Sequence, residues 1–326
     1  MTNPVTVEAA ATSPAPEAPP ALEAARPIEG RSPGQIAWLR LRRDKAAMAS
    51  AAVIGLLILV AIAAPLLTAL NGHGPNEFHQ EALNTELGGI PKGRFGGISS
   101  EFWLGVEPGT GRDVFSRIVY GARISLVVAT LATLVAVGVG TVVGVTAGYF
   151  GGWVDQTSSR TMDVILAFQQ LLFAIALVAV ADQIPRTLLI VLVIGFLNWP
   201  YIGRIVRGQT LSLREREFVE AARSLGAGHA HIIFKQLLPN LAAPILVYST
   251  MIIPANILFE AAMSFLGVGV KPPTPSWGQM LSNAVSWYST DPVYVAVPGL
   301  ALFVTVLAFN LLGDGLRDAL DPRGGR

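Results

Sequence analysis

Cysteine is absent from the 326 residues, which removes disulfides, thiolate metal sites, iron-sulfur clusters and cysteine nucleophiles together. Charge is scarce: 14% of residues are Asp, Glu, Lys or Arg, against about 25% in a typical soluble domain. The net charge of +1 gives no basic field of the kind a phosphate backbone attracts. Lysine occurs four times, at Lys45, Lys92, Lys235 and Lys271, and never in the Gly-Lys-Ser/Thr setting of a phosphate-cradling P-loop. The chain therefore has no such ATPase site of its own.

What is abundant is apolar sequence. A bilayer core about 30 Å thick is crossed by about 20 apolar helical residues. Six stretches meet this, over 47–70, 124–147, 162–181, 187–203, 241–259 and 293–312, predicting an all-α membrane protein with six transmembrane helices. Residues 1–35, rich in Pro and Ala without periodicity, are expected to be a disordered cytoplasmic tail. The first span is too long and too far from Met1 for a signal sequence, and residues 36–70 form an N-terminal segment that retains it. Segment 71–123 reads as an extracytoplasmic loop. A five-helix domain over 124–318 and a cytoplasmic C-terminus over 319–326 follow. With the N-terminus inside, 16 of the 23 Lys and Arg fall on the inner side, which orients both termini to the cytoplasm. Arg112, Arg117 and Arg123 crowd the outer end of the second span, where an amphipathic interfacial segment would accommodate them. Gly140, Gly144 and Gly148 form a small-residue stripe that suits close helix packing.

The segment between the fourth and fifth spans, "TLSLREREFVEAARSLGAGHAHIIFKQLLPN", is far longer than packing needs. Ser212 and Glu215 have capping-box spacing, predicting a helix start near Leu213, and Gly226 suits a left-handed stop. This helix carries Phe218, Ala222 and Leu225 on one face. A second short helix is expected over 229–237, ended by Pro239.

Glu220-Ala221-Ala222, then Gly226, then Leu238-Pro239 resemble the EAA loop (206–240) of type I ABC importer membrane subunits, departing at Gln236 where that pattern has isoleucine. A second Glu-Ala-Ala at Glu260 lacks the glycine and the Leu-Pro. "GRDVFSRIVYGARISL", "AGYFGGWVD", "WPYIGRIVR", "FLGVGVKPPTPSWGQML" and "FNLLGDGLRDALDPR" are similar to the second permease subunit of dipeptide, oligopeptide and nickel ABC importers. Departures occur at Glu107, with an extra residue following, and at Gln169, which replaces a usual proline.

The resemblance implies a type I ABC importer transmembrane domain in the bacterial cytoplasmic membrane. It implies that Glu220, Ala221, Ala222, Gly226, Leu238 and Pro239 couple to a separate ATPase. The implied partners are a homologous permease, two ATPase subunits that use ATP and Mg, and an extracytoplasmic binding protein. No cofactor, metal, catalytic residue or nucleic acid is assigned to this chain, and di- or oligopeptide is the implied cargo, with nickel or another small solute as the alternative. Gln169 and Gln170 are amides inside a span; they bond between helices, or one of them lines the translocation path. Trp277 reads as an interfacial anchor and Lys271 as an outer-loop residue, either able to touch the binding protein. Glu260 is expected to pair with an arginine. His73, His79, His229 and His231 read as solvated loop residues. An ion-coupled carrier is the rival, but the centres of the predicted spans carry none of the mid-membrane charge such carriers keep.

Overall fold

A computed structural model describes residues 33–181 and 183–320. The tail expected before residue 36 lies almost wholly outside the described residues, as does most of 319–326. Helix α1 (Pro33–Arg43) turns at Asp44 into α2 (Lys45–Ile62). The Asp44 carboxylate accepts from the amides of Ala46 at 2.9 Å and Ala47 at 3.2 Å, satisfying two of the orphan donors at the helix start. The first predicted span is not one helix. It breaks at Ala63, and α3 (Ala64–Asn71) restarts with Pro65 in its first turn, where a missing amide costs nothing.

Residues 72–113 fold over one end of the bundle around a short antiparallel pair, β1 (Leu83–Asn84) and β2 (Ile90–Pro91). Asp113 then caps α4 (Val114–Phe150), accepting from the Ser116 amide at 2.8 Å. At 37 residues this helix is about 55 Å long, so it overshoots any bilayer. Arg112 and Arg117 are accordingly not on an interfacial segment: both are buried, against Glu107, at the end of α4.

Helices α5 (Gly152–Ala167) and α6 (Gln170–Val180) replace the third predicted span, with a 91° bend between them. Phe168 and Gln169 adopt extended backbone there, so the break occurs without proline. Helix α7 (Arg186–Arg214) outruns the fourth predicted span and contains Ser212, which therefore caps nothing. After α8 (Glu217–Ser224), a continuous rod spans His229–Phe265. It comprises α9 (His229–His231), a π-turn at Ile232–Leu237 and α10 (Leu238–Phe265). Pro239 does not end this rod: it occupies the first turn of α10, after the π-turn has shifted the hydrogen-bond register. Helices α11 (Trp277–Ala284) and α12 (Pro292–Leu320) are the last of the described elements. Among the described residues five helices are long and apolar enough to cross a membrane, and six spans result when α5 and α6 count as one bent crossing.

The most extensive helix contact joins α4 to α7, which run parallel. It is possible because of the glycine stripe. A Cβ on Gly140 would meet the Trp199 carbonyl at 2.7 Å, one on Gly144 the Gly203 carbonyl at 2.6 Å, and one on Gly148 the Thr210 Cβ at 2.7 Å. Val128, Ala132, Ile190, Ile194, Leu197 and Met263 form the centre of one core; Ala129, Ile257, Trp277 and Phe309 belong to a second. Outward-facing Leu59, Ile62, Leu134, Val142, Leu300 and Phe303 suit a lipid surround.

Candidate functional site

The segment after α7 is built by helix-terminus chemistry. Arg216, in extended conformation, precedes α8, and Glu217 and Glu220 in the first turn with Arg223 in the last complement the helix dipole. Its C-terminus closes as a Schellman motif: Ala227 N–H donates to the Ala222 carbonyl at 3.0 Å, and Gly226 N–H to the Arg223 carbonyl at 2.9 Å. Gly226 sits at φ +82, the left-handed region that a Cβ disfavours. The Glu-Ala-Ala-x-x-x-Gly spacing is therefore a geometric unit, in which the third residue supplies the acceptor and the glycine supplies the turn.

The unit is held to the bundle from one side. Val219 is the only buried residue of α8, and it joins Ile232, Leu237 and Leu241 against Val145, Ile202 and Val206. Arg223 lies over the Tyr149 ring at 5.7 Å, and the Tyr149 hydroxyl pairs with His229 Nδ1 at 2.9 Å. Arg214 donates to the Gly148 carbonyl at 3.1 Å, placing its charge at the C-terminal end of α4.

Three apolar side chains stay bare on the handle: Phe218 is 38% exposed, Phe234 66% and Leu225 89%. Phe218 and Leu225 of the predicted face thus point away from the bundle, beside the exposed charges of Glu217, Glu220 and Arg223. Glu220, Ala221, Gly226 and Pro239 are exposed, and Ala222 and Leu238 are half-buried. These six residues are brought together at one end of the molecule, whereas Gln169 and Gln170 stand apart at the α5–α6 break. Gln169 is exposed and Gln170 half-buried, and neither side-chain amide bonds to another described residue, so the interhelical bonds expected of them are not formed within this chain.

Polar residues the sequence reading passed over clasp the rod to its neighbours. Fully buried Asn256 on α10 donates to Thr133 of α4 at 2.8 Å and accepts from Asn198 of α7 at 3.0 Å. Among the described residues Glu260 meets no arginine. It accepts from the hydroxyls of Ser125 on α4 at 2.9 Å and Ser264 at 2.7 Å, fully buried. Trp277 is neither an anchor nor a docking residue: it is 1% exposed and donates to the Ile118 carbonyl at 3.1 Å. Isolated polar letters in apolar runs were the available signal, and apart from the Ser264–Glu260 pair their partners lie more than 50 residues away in sequence.

At the opposite end of α4, Glu107 is a hub. Arg112 Nε and the hydroxyls of Thr110 and Tyr294 donate to it, as does Asn283 Nδ2 at 2.9 Å. Arg117 Nε stands 3.6 Å away as an ion pair without a hydrogen bond. Burial pushes the Glu107 carboxyl up, but the Arg117 charge and the bonds from Arg112 and Tyr294 outweigh it and hold it below the usual glutamate value. His73 and His79, expected to be independent and solvated, are half-buried with ring centroids 4.6 Å apart.

Long apolar helices with an exposed helical handle at one end define a multi-pass membrane subunit shaped to engage another protein. Residues 140–325 match the family described as binding-protein-dependent transport system inner membrane component, and residues 32–85 match the N-terminal transmembrane domain of oligopeptide transport permease C. The chain is 42% identical over 292 residues to the dipeptide transport system permease protein DppC of Alkalihalophilus pseudofirmus, covering 90% of each chain. It is 41% identical over 303 residues to the glutathione transport system permease protein GsiD of Escherichia coli O1:K1, covering 93% of this chain and 95% of that one. The Pectobacterium atrosepticum GsiD is 41% identical over 293 residues, 90% of this chain and 92% of the relative. The protein belongs to the inner membrane permeases of binding-protein-dependent, ABC-type importers.

Proposed function

We propose that this chain forms half of the translocation path of an ATP-driven importer of di- or oligopeptides, with its termini in the cytoplasm. In this reading it pairs with a homologous permease, two ATPase subunits dock beneath it, and a binding protein delivers cargo from outside. The observation that carries the reading is the handle around α8: Phe218, Leu225 and Phe234 face outward while Val219, Ile232 and Leu237 lock it to the bundle. An apolar patch that stays bare on the chain and is rigidly backed suits a permanent partner. ATP and Mg act in those partners; this chain supplies no nucleotide site and no catalysis.

Motion imposed on α8 by the ATPases passes through the Schellman turn at Gly226 into the rod His229–Phe265. The rod carries it past Asn256 and Glu260 into α4 and α7, shifting the population between inward- and outward-open states. A dipeptide or glutathione system names the relatives, and short peptides are accordingly the cargo assigned here.

The Gly226→Pro variant tests the coupling. Proline fixes φ near −65° and has no amide, whereas this position uses φ +82 and donates to Arg223. The complex should still assemble and span the membrane, with peptide-stimulated ATP hydrolysis and uptake lost. Normal ATP-driven uptake would contradict the role. In membrane vesicles, uptake of labelled dipeptide should stop on ATP depletion and survive dissipation of ion gradients; the reverse outcome would establish an ion-coupled carrier.

A further inference from the structure

We infer that His73, Glu77 and His79 form a binding site for a divalent transition-metal ion, of the borderline-soft class that includes Zn(II), at the end of the bundle opposite the coupling handle. One ligand atom from each of the three lies within 4.8 Å of the others. An ion held tetrahedrally at about 2.1 Å from its ligands sets them roughly 3.4 Å apart, so the gap to close is about 1.4 Å. The Glu77 side chain is exposed and free of packing constraint on one side, which suits small adjustment of the ligand set.

The surroundings favour a built site over a chance encounter of loop residues. His79 Nδ1 bonds the Glu81 carboxylate at 3.1 Å, and its Nε2 is buried with no hydrogen-bond partner. This is the arrangement in which an outer carboxylate fixes the ring tautomer and leaves the second nitrogen as a lone-pair donor to metal. Glu77 is also oriented: the Gly74 amide donates to its Oε2 at 2.7 Å, leaving Oε1 available. Both rings are braced by buried Phe102, which stacks on His73 at 4.6 Å and lies 5.2 Å from His79.

The backbone beneath is fixed as well. The Ser116 hydroxyl donates to the His73 carbonyl at 2.7 Å, and the His79 amide donates to the Gly111 carbonyl at 3.3 Å. Two imidazoles and one carboxylate leave a fourth position for water or an incoming donor, the composition of an open zinc site. Harder ions such as magnesium prefer all-oxygen shells and do not suit two imidazoles. A bound ion would cross-link residues 73–79, the segment that follows α3 and is hydrogen-bonded to Gly111 and Ser116 at the start of α4. This inference does not rest on the transport reading, and its test requires no transport.

The test uses the full-length chain in detergent without a polyhistidine tag, stripped with chelator, and titrated with Zn(II) against a chromophoric competitor. Stoichiometric binding of one Zn(II) per chain is expected, with a matching rise in the unfolding temperature. Co(II) should give the intense visible bands of a near-tetrahedral site. His73→Gln and His79→Gln should each weaken Zn(II) binding by at least about tenfold, and Glu81→Gln, which removes only the outer partner, by about tenfold or more. His231→Gln, at the far end of the molecule, should bind like the parent. No stoichiometric site in the parent chain, or full affinity in the His73→Gln/His79→Gln double variant, overturns the assignment. Should the histidine variants fail to fold, the parent titration and Glu81→Gln decide it, because the Glu81 side chain is 73% exposed and its loss leaves the core intact.

Discussion

Substituting Gly144 by Ala puts one methyl group into the tight contact between α4 and α7. Its Cβ would stand 2.6 Å from the Gly203 carbonyl oxygen, 2.9 Å from Val206 Cβ and 3.0 Å from the Arg207 amide nitrogen. Ordinary contact begins near 3.4 Å, so α4 and α7 must separate locally by about 0.8 Å. Two of the three obstacles are backbone atoms of a helix, which cannot rotate aside as a side chain does. Overpacking of this kind costs about 1–3 kcal/mol. Gly138 lies on the same helix, with nothing within 4 Å of its added Cβ. Ala there should stabilise by about 0.5–1 kcal/mol through helix propensity alone. The two variants, chemically the same change six residues apart, should therefore differ by about 2–4 kcal/mol in opposite directions. Reversible unfolding in mixed micelles, followed by circular dichroism, measures the difference. If Gly144→Ala proves as stable as the parent, the glycine stripe is not what sets the α4–α7 distance.

Glu107→Gln should destabilise the loop end of the bundle by about 3 kcal/mol, because fully buried Arg117 loses its counter-charge; thermal unfolding of the two forms reads this. The carboxyl is held below its usual value in the folded state, so its contribution is complete above the unfolded value and is lost as pH falls through the folded one. The parent should thus lose stability on acidification below about pH 4.5 more steeply than Glu107→Gln; parallel profiles would count against the network. Asn256→Leu leaves Thr133 and Asn198 without their shared partner and should cost about 1–2 kcal/mol in micelle unfolding.

The helices were legible from hydropathy because the bilayer sets a length that apolar runs must satisfy. Their ends and breaks were less so. The apolar run at 47–70 conceals the Ala63 break, and α7 continues past residue 203 because a polar helix outside the bilayer carries no hydropathy signal. Ser212 and Glu215 have the right spacing for a capping box, yet Ser212 lies within α7 and Glu215 is its C-terminal cap, so continued propagation of that helix outweighs a new start. The handle itself was readable, since Gly226 and Ala222 encode a local Schellman turn. Glu107, Asn256, Glu260 and the His73–His79 contact were not, because each depends on partners brought from distant segments by packing. Pro239 misled for the complementary reason: the π-turn before it removes the clash that would end a helix.

The central claim is that the surface around α8 meets an ATPase on the cytoplasmic side. With no native cysteine, a single Leu225→Cys substitution gives one unique thiol, on a side chain that is 89% exposed. Labelled with a photoactivated maleimide in the complex purified with its co-expressed ATPase subunits, this position should yield a crosslink to the ATPase. In sealed cells it should resist membrane-impermeant thiol reagents. An adduct to the binding protein, labelling from outside, or no ATPase crosslink in an assembled complex would contradict the claim.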